Sequence, residues 1–113
     1  YRRSLHFYTQ VLGLRMLSEH YRAERQSYKA DLALGDEYVI ELFSFPTPPP
    51  RPTRPEAAGL RHLAFEVDNL DKEVADLDRL QVAHEAIRTD EYTGKRFVFF
   101  RDPDDLPIEL YEK

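Results

Sequence analysis

The first third of the chain carries one helical pattern of apolar residues and then three strand-like ones. Apolar side chains recur three and four positions apart at Leu5, Tyr8, Val11 and Leu12. Gly13 follows, where a helix often ends on a left-handed residue. The spacing therefore predicts a helix over residues 2–12. Alternating apolar and polar residues then predict strands at Leu14–Tyr21, Ser27–Leu34 and Glu37–Phe45.

The second half repeats this order with one more strand at its start. Alternation over Leu60–Val67 predicts the additional strand. A helix follows, capped by Asp68 or Asn69, with apolar residues at Leu70, Val74, Leu77 and Leu80. Three further strands are predicted at His84–Arg88, Arg96–Arg101 and Pro107–Glu112. The second half thus has the order β-α-β-β-β, and the first half has α-β-β-β.

A proline-rich segment, residues 46–59, separates the two patterns. Proline has no amide hydrogen to donate to a sheet, so the run from Pro46 to Pro55 predicts a stiff, extended connector. We therefore expect one domain over residues 1–113, built from modules at about 1–45 and 60–113. The fold class predicted is α+β, with two β-α-β-β-β modules and with the first strand of the first module absent from this chain.

The tripeptide Ile-Glu-Leu occurs at the end of both patterns. Glu41 and Glu109 stand at its centre, 68 positions apart, and a repeat at a fixed spacing indicates a duplicated supersecondary unit. Burying a carboxylate costs several kcal/mol, roughly, unless a cation or metal replaces its water. The repeat predicts a shared metal or proton-transfer site.

His62 belongs to the same face of its predicted strand as Ala64 and Glu66, opposite the apolar face that would pack on the helix. The same alternation leaves Glu41 and Glu109 on the faces away from the helices. One imidazole and two carboxylates suit a divalent cation such as Zn²⁺, Ni²⁺, Co²⁺ or Mn²⁺. Each of these residues, taken singly, is more often structural or solvated.

Composition narrows the possible partners. The 113 residues are 42% hydrophobic and 33% charged, with a net charge of −5, which argues against nucleic acid. There is no cysteine, which excludes disulfides and thiolate chemistry and is compatible with the cytoplasm. Glu41 and Glu109 interrupt the most apolar stretches, far short of the roughly 20 residues of a membrane span. We expect a cytoplasmic protein.

Other charged residues are weaker candidates. His6, His20 and His84 stand among polar residues, and solvated or structural roles are favoured for them. Four cations near loops could meet an anionic substrate, although solvated surface charges are the favoured interpretation: Arg51, Arg54, Lys95 and Arg96.

Four blocks of the chain resemble the vicinal oxygen chelate superfamily, and within it the glyoxalase I branch. They are Ser4–Gly13, Val39–Leu42, Arg61–Asp68, and Asp102–Asp104 together with Ile108–Leu110. The resemblance implies two modules that form a cup around a divalent metal. It makes Glu41, His62 and Glu109 metal ligands and Glu109 the first choice of catalytic base. A fourth ligand, from the very first strand, has no counterpart in this chain.

Two further departures stand out. Asp105 occupies the position where the family's Asp-Pro-Asp-Gly turn has glycine. The connector is also unlike the corresponding region of glutathione-using members, which puts a thiol substrate in doubt. In members of this size the cup is often built from two subunits, so the resemblance implies a homodimer.

The activity implied is that of a metal-dependent lyase or isomerase acting on the thiol hemithioacetal of a 2-oxoaldehyde, or on a related substrate with vicinal oxygens. The metal acts as a Lewis acid on a developing enediolate while a carboxylate moves the proton. Three alternatives share the fold: an epimerase of an acyl thioester, an Fe²⁺ dioxygenase, and a non-catalytic protein that sequesters a small molecule or antibiotic. The dioxygenase ranks lowest, because it expects two histidines and one carboxylate.

Overall fold

The computed structural model describes all 113 residues and is a mixed α+β fold with two sheets and few helices, as predicted. It divides into two compact units, Tyr1–Pro50 and Arg51–Lys113. No helix of the protein is long and apolar enough to cross a membrane.

The first unit begins with helix α1, Arg2–His6, which continues as a π-helical turn over Phe7–Val11. The prediction of one regular helix over residues 2–12 is therefore wrong in its second half. The hydroxyl of Thr9 donates to the carbonyl of Leu5 at 2.7 Å, and such a bond competes with the backbone ladder of a regular helix. Gly13 ends the segment with a φ of 74°, the left-handed geometry expected of it.

Three antiparallel strands complete this unit in the order β1-β2-β3. They span Arg15–Arg22, Ser27–Leu34 and Glu37–Phe43. Gly35 provides the left-handed turn between β2 and β3, with a φ of 60°. The last strand ends two residues before the predicted Phe45, where the hydroxyl of Ser44 accepts from the amide of Tyr28. Ala30 and Leu32 share one face of β2, and both are fully inaccessible to solvent, as is the neighbouring Ala33.

The second unit has the strand order β4-β7-β6-β5, with β4 and β7 parallel and the other pairs antiparallel. The strands span Leu63–Val67 for β4, Arg88–Thr89 for β5, Arg96–Arg101 for β6 and Pro107–Glu112 for β7. Helix α2, Leu70–Arg79, connects β4 to the rest of the unit. Asn69 caps it by accepting from the amide of Lys72 at 3.0 Å.

Two predicted strands of this unit are wrong in their bounds. β4 begins at Leu63 and not at Leu60, and the carbonyls of Leu60 and Arg61 accept from the Arg51 guanidinium. The strand predicted at His84–Arg88 is reduced to a bridge between His84 and Phe100 and the two residues of β5. The His84 ring contacts the carbonyl of Glu85 and the carboxylate of Asp78, which ties this segment to the end of α2.

The core of the second unit lies between α2 and one face of the sheet. Leu70 and Leu77 of the helix are buried, as are Val98, Phe100, Ile108 and Leu110 of β6 and β7. Burying each of these side chains contributes about 1.5–3 kcal/mol. The opposite face of the sheet, which we call the open face, carries the residues that follow.

Candidate functional site

His62 and Glu109 meet on the open face of the second unit. Glu109 pairs with Ala64 across the parallel strands β4 and β7, and His62 precedes Ala64 by two positions, so both side chains leave the same face. The His62 Nε2 atom lies 3.2 Å from the Glu109 Oε2 atom. The side chain of Glu109 is 15% exposed and that of His62 is 31% exposed, so both can be reached from solvent.

Aromatic side chains surround this pair. The His62 ring meets Phe99 edge to face at 5.1 Å, and Phe99 meets Phe97 in the same way at 5.9 Å. Phe97 stacks on Tyr111, whose hydroxyl donates to Asp90 at 2.8 Å. The rings fix the imidazole and make the floor of the open face mainly apolar.

The spacing of the two donor atoms fits a shared metal ion. Two ligands that each lie about 2.1 Å from one metal are about 3.0 Å apart at a right angle and about 3.4 Å apart in a tetrahedron. The observed separation of 3.2 Å falls between these values. The same distance suits a hydrogen bond between imidazole and carboxylate. His62 and Glu109 can therefore change from a hydrogen-bonded pair to two ligands of one metal ion with little movement.

Glu41 stands on β3 in the first unit, on the face away from the buried residues Ala30 and Leu32. Lys29 Nζ lies 2.8 Å from Glu41 Oε1 and 3.2 Å from Asp31 Oδ1. Hydrogen bonds from Lys29 and from the Tyr38 hydroxyl lower the pKa of Glu41. The same carboxylate raises the pKa of Tyr38 to about 12. Glu41 is therefore held ionised, the form in which a carboxylate binds a metal.

Asp31 is the second acid beside Lys29. Burial raises its pKa, but bonds from Lys29 and from the Ser18 hydroxyl outweigh that effect and the net shift is downward. The pKa of Lys29 is raised by its bonds to Glu41 and Asp31. Lys29 therefore keeps a counter-ion in Asp31 even if Glu41 turns to another partner.

A single chain contains no group of three or more His, Cys, Asp or Glu side chains arranged to hold a metal ion. The structure brings His62 and Glu109 together, and it gives Glu41 a separate set of partners within its own unit. The set of three ligands expected from the sequence stays a prediction.

Most of the weaker candidates have structural partners. Arg96 bonds to both Asp71 and Glu112, which raises the pKa of the guanidinium. Arg54 pairs with Asp105 at 2.6 Å. His84 pairs with Asp78 at 2.8 Å. These contacts favour the structural interpretation that the sequence suggested for them.

Sequence reasoning missed Lys29 and Arg88. Lys29 stands in a predicted strand two residues from Asp31, so the alternating pattern predicts that both lie on one face. The pattern does not reveal that Glu41 of β3 pairs with Asp31 and so lies next to Lys29. Arg88 falls at the end of a predicted strand. Nothing in the pattern predicts that it lies over Phe97 and Phe99 of β6.

A cavity of about 580 Å³ opens within the second unit beside His62. Its lining includes Phe99, Phe100 and Val82 on the apolar side. Its charged members are Arg61, Arg88, Arg101, Glu56 and Glu85. The volume is in the range of about 300–1,000 Å³ that small-molecule sites occupy.

A cavity of this size beside a histidine–carboxylate pair is consistent with small-molecule binding. Comparison with known proteins identifies the family. Residues 1–110 match the model of the Glyoxalase/Bleomycin resistance protein/Dioxygenase superfamily. The chain belongs to this superfamily, as the resemblance of its motifs implied.

Three relatives illustrate the range. The uncharacterized protein YwkD of Bacillus subtilis (strain 168) is 61% identical over 113 residues, which are 100% of this chain and 88% of YwkD. The crystal structure of the glyoxalase family protein from Enterococcus faecalis is 43% identical, with a TM-score of 0.91 over 99% of this chain and 88% of that one. The trypanothione-dependent glyoxalase I of Leishmania major is 27% identical, with a TM-score of 0.76 over 98% of this chain and 77% of that one.

Proposed function

We propose that the protein is a metal-dependent lyase or isomerase of the glyoxalase I type. Its substrate is the thiol hemithioacetal of a 2-oxoaldehyde or a related molecule with vicinal oxygens. The observation that carries this proposal is the His62–Glu109 pair at 3.2 Å on an open face lined by aromatic rings. The similarity to a glyoxalase I of Leishmania major supports the same activity.

His62, Glu109 and Glu41 would hold a divalent cation, Zn²⁺, Ni²⁺, Co²⁺ or Mn²⁺. The donor set of one imidazole and two carboxylates suits each of them. When bound, the metal supplies Lewis acidity that polarises two neighbouring oxygens of the substrate. Lys29 bonds to the Oε1 atom of Glu41 at 2.8 Å, which orients the carboxylate.

Glu109 is the catalytic base. It accepts the proton from the substrate carbon that bears the hydroxyl and the sulfur, and it returns that proton to the adjacent carbonyl carbon. The hydroxyl of the first carbon gives up its proton and becomes the thioester carbonyl, and the neighbouring carbonyl oxygen takes up a proton and becomes the hydroxyl, so each oxygen stays on its own carbon. Phe99 and Phe97 reduce the access of water to the reacting carbons.

We also propose that the protein is cytoplasmic and forms a homodimer, in which a second copy provides Glu41 to the His62–Glu109 pair. Mixing tests the arrangement between subunits, because Glu41→Gln and His62→Ala variants are each deficient alone. In a heterodimer one of the two sites regains both residues, so random mixing restores about a quarter of the parent activity. A site within one chain gives no recovery on mixing.

The direct test is the Glu109→Gln variant. Glutamine keeps the size of the side chain but not its basicity, so kcat with methylglyoxal and glutathione should fall by at least about 10²-fold. Bound metal, measured by elemental analysis, should fall much less. Glu66→Gln is the matched control, because Glu66 is an exposed glutamate of the neighbouring strand β4 and is not among the proposed metal ligands.

Acyl thioesters are assayed beside the 2-oxoaldehyde adducts, since an epimerase uses the same proton transfer. Equal activity of Glu109→Gln and the parent on every substrate would refute the role of Glu109. A protein that binds metal and substrate but turns over none of them would favour the sequestering alternative.

A further inference from the structure

Arg88 lies over the aromatic floor of the open face. Its guanidinium carbon lies 4.9 Å from the centroid of Phe97 and 5.6 Å from that of Phe99. The attraction between a guanidinium and a ring face comes from the positive charge and does not require a hydrogen-bond acceptor for the N–H groups. The contact therefore holds the side chain in place without consuming its hydrogen-bonding capacity.

The ion pair between Arg88 and Glu85 is weak. Glu85 Oε2 lies 3.4 Å from Arg88 Nη2, and both side chains are more than half exposed. Exposed pairs of this kind contribute only about 0.2–1 kcal/mol. A ligand carboxylate that accepts two N–H bonds at once can therefore replace Glu85.

Arg88 and His62 contact the same ring. The imidazole meets Phe99 at 5.1 Å and the guanidinium meets it at 5.6 Å, and both residues line the cavity. Phe99 therefore separates the Arg88 guanidinium from the His62–Glu109 pair, and one ligand can contact both.

The charge of the cavity also favours an anionic ligand. Three arginines and two glutamates among its lining residues leave one net positive charge, whereas the whole chain carries −5. On an acidic protein this is a place where an anion is attracted and not repelled.

We propose that Arg88 binds a carboxylate of the substrate, at the end remote from its vicinal oxygens. This proposal rests on the proposed function, because it assigns the vicinal oxygens to the His62–Glu109 pair. The substrate class is then a small molecule with two oxygens on neighbouring carbons and a carboxylate remote from them. Neutral 2-oxoaldehyde adducts without such a group lack one of the two recognition points.

Two probes of one handedness test this assignment: malate, and 2-hydroxybutyrate, in which a methyl group replaces the remote carboxylate. Affinities are measured by NMR chemical-shift titration of the full chain, with and without added Zn²⁺. The parent protein should bind malate at least about tenfold more tightly, because a bidentate arginine contact is made by malate alone.

Arg88→Met should reduce that ratio to within about twofold of unity and leave the affinity for 2-hydroxybutyrate unchanged. Arg88→Lys keeps the charge but not the planar fork, so it should retain only part of the preference. Arg25→Met is the control for overall charge, because Arg25 lies in the exposed turn Ala23–Arg25 of the first unit. It should keep the parent ratio.

A parent ratio near one, or a ratio that Arg88→Met leaves intact, overturns the proposal. The failure of the proposed function gives a different result. If Glu109→Gln equals the parent in turnover while malate preference still depends on Arg88, the lyase assignment fails and the anion site stands. If Glu109→Gln is inactive and Arg88→Met keeps the malate preference, the lyase assignment stands and the anion site at Arg88 fails.

Discussion

Asp105 should decide the stability of the turn between β6 and β7, because its backbone is left-handed and its side chain binds two arginines. Its φ is 69°, a region that costs most residues about 1–2 kcal/mol and costs aspartate less. Its carboxylate contacts Arg54 at 2.6 Å and Arg101 at 3.4 Å, and its carbonyl accepts from Thr53 at 3.1 Å. The aspartate thus fastens the connector to the turn, which a glycine cannot do.

Three substitutions separate the two effects. Asp105→Asn keeps the tolerance of left-handed geometry and loses two exposed ion pairs, which are worth about 0.2–1 kcal/mol each. Asp105→Ala loses the same pairs and adds the backbone penalty, so it should lower the free energy of unfolding by about 2–3 kcal/mol. Asp105→Gly loses the pairs but relieves the backbone, so it should remain within about 1 kcal/mol of the parent.

The assay is urea unfolding at neutral pH, repeated at high salt, where the difference between Asn and the parent should shrink because exposed charges are screened. An alanine variant as stable as the asparagine variant would refute the backbone argument. An asparagine variant equal to the parent at low salt would show that the arginine pairs contribute nothing.

Two other predictions concern titrating groups. Lys29→Met removes the main cause of the lowered pKa of Glu41, so an NMR titration of the Glu41 carboxyl carbon should give a higher pKa than in the parent, and an unchanged value would contradict the Lys29 contact. The pKa of His84 is raised by the Glu85 carbonyl and the Asp78 carboxylate, so its stabilising contribution is complete below the unfolded value of about 6.5 and is lost as pH rises through the folded value. The free energy of unfolding, measured with urea, should therefore fall more between about pH 6 and pH 8 in the parent than in Asp78→Asn. Parallel pH profiles would contradict a contribution from the His84–Asp78 contact.

The placement of His62 and Glu109 shows how far pattern reasoning reaches into the site. Alternation along β4 and β7 predicted that both leave the sheet away from α2, because side chains on a strand change face at every residue. It could not predict that their donor atoms stand 3.2 Å apart. That distance depends on the parallel register of Ala64 with Glu109, which joins residues 45 positions apart in the chain.

The sequence by itself determined the order of elements, the buried faces and the family, since apolar periodicity and turn residues act locally and leave a readable pattern. The tertiary structure decided which side chains meet across neighbouring strands. Lys29 meets Glu41 only because β2 and β3 are antiparallel, and Arg88 meets Phe97 only because β5 and β6 are. The π-helical turn at Phe7–Val11 and the short β5 have a local cause instead, because side-chain bonds of Thr9 and His84 compete there with the backbone ladder and the apolar spacing does not reveal them. Contacts between residues far apart in the chain leave no local pattern, so the ion pairs and the anion site had to be seen in three dimensions.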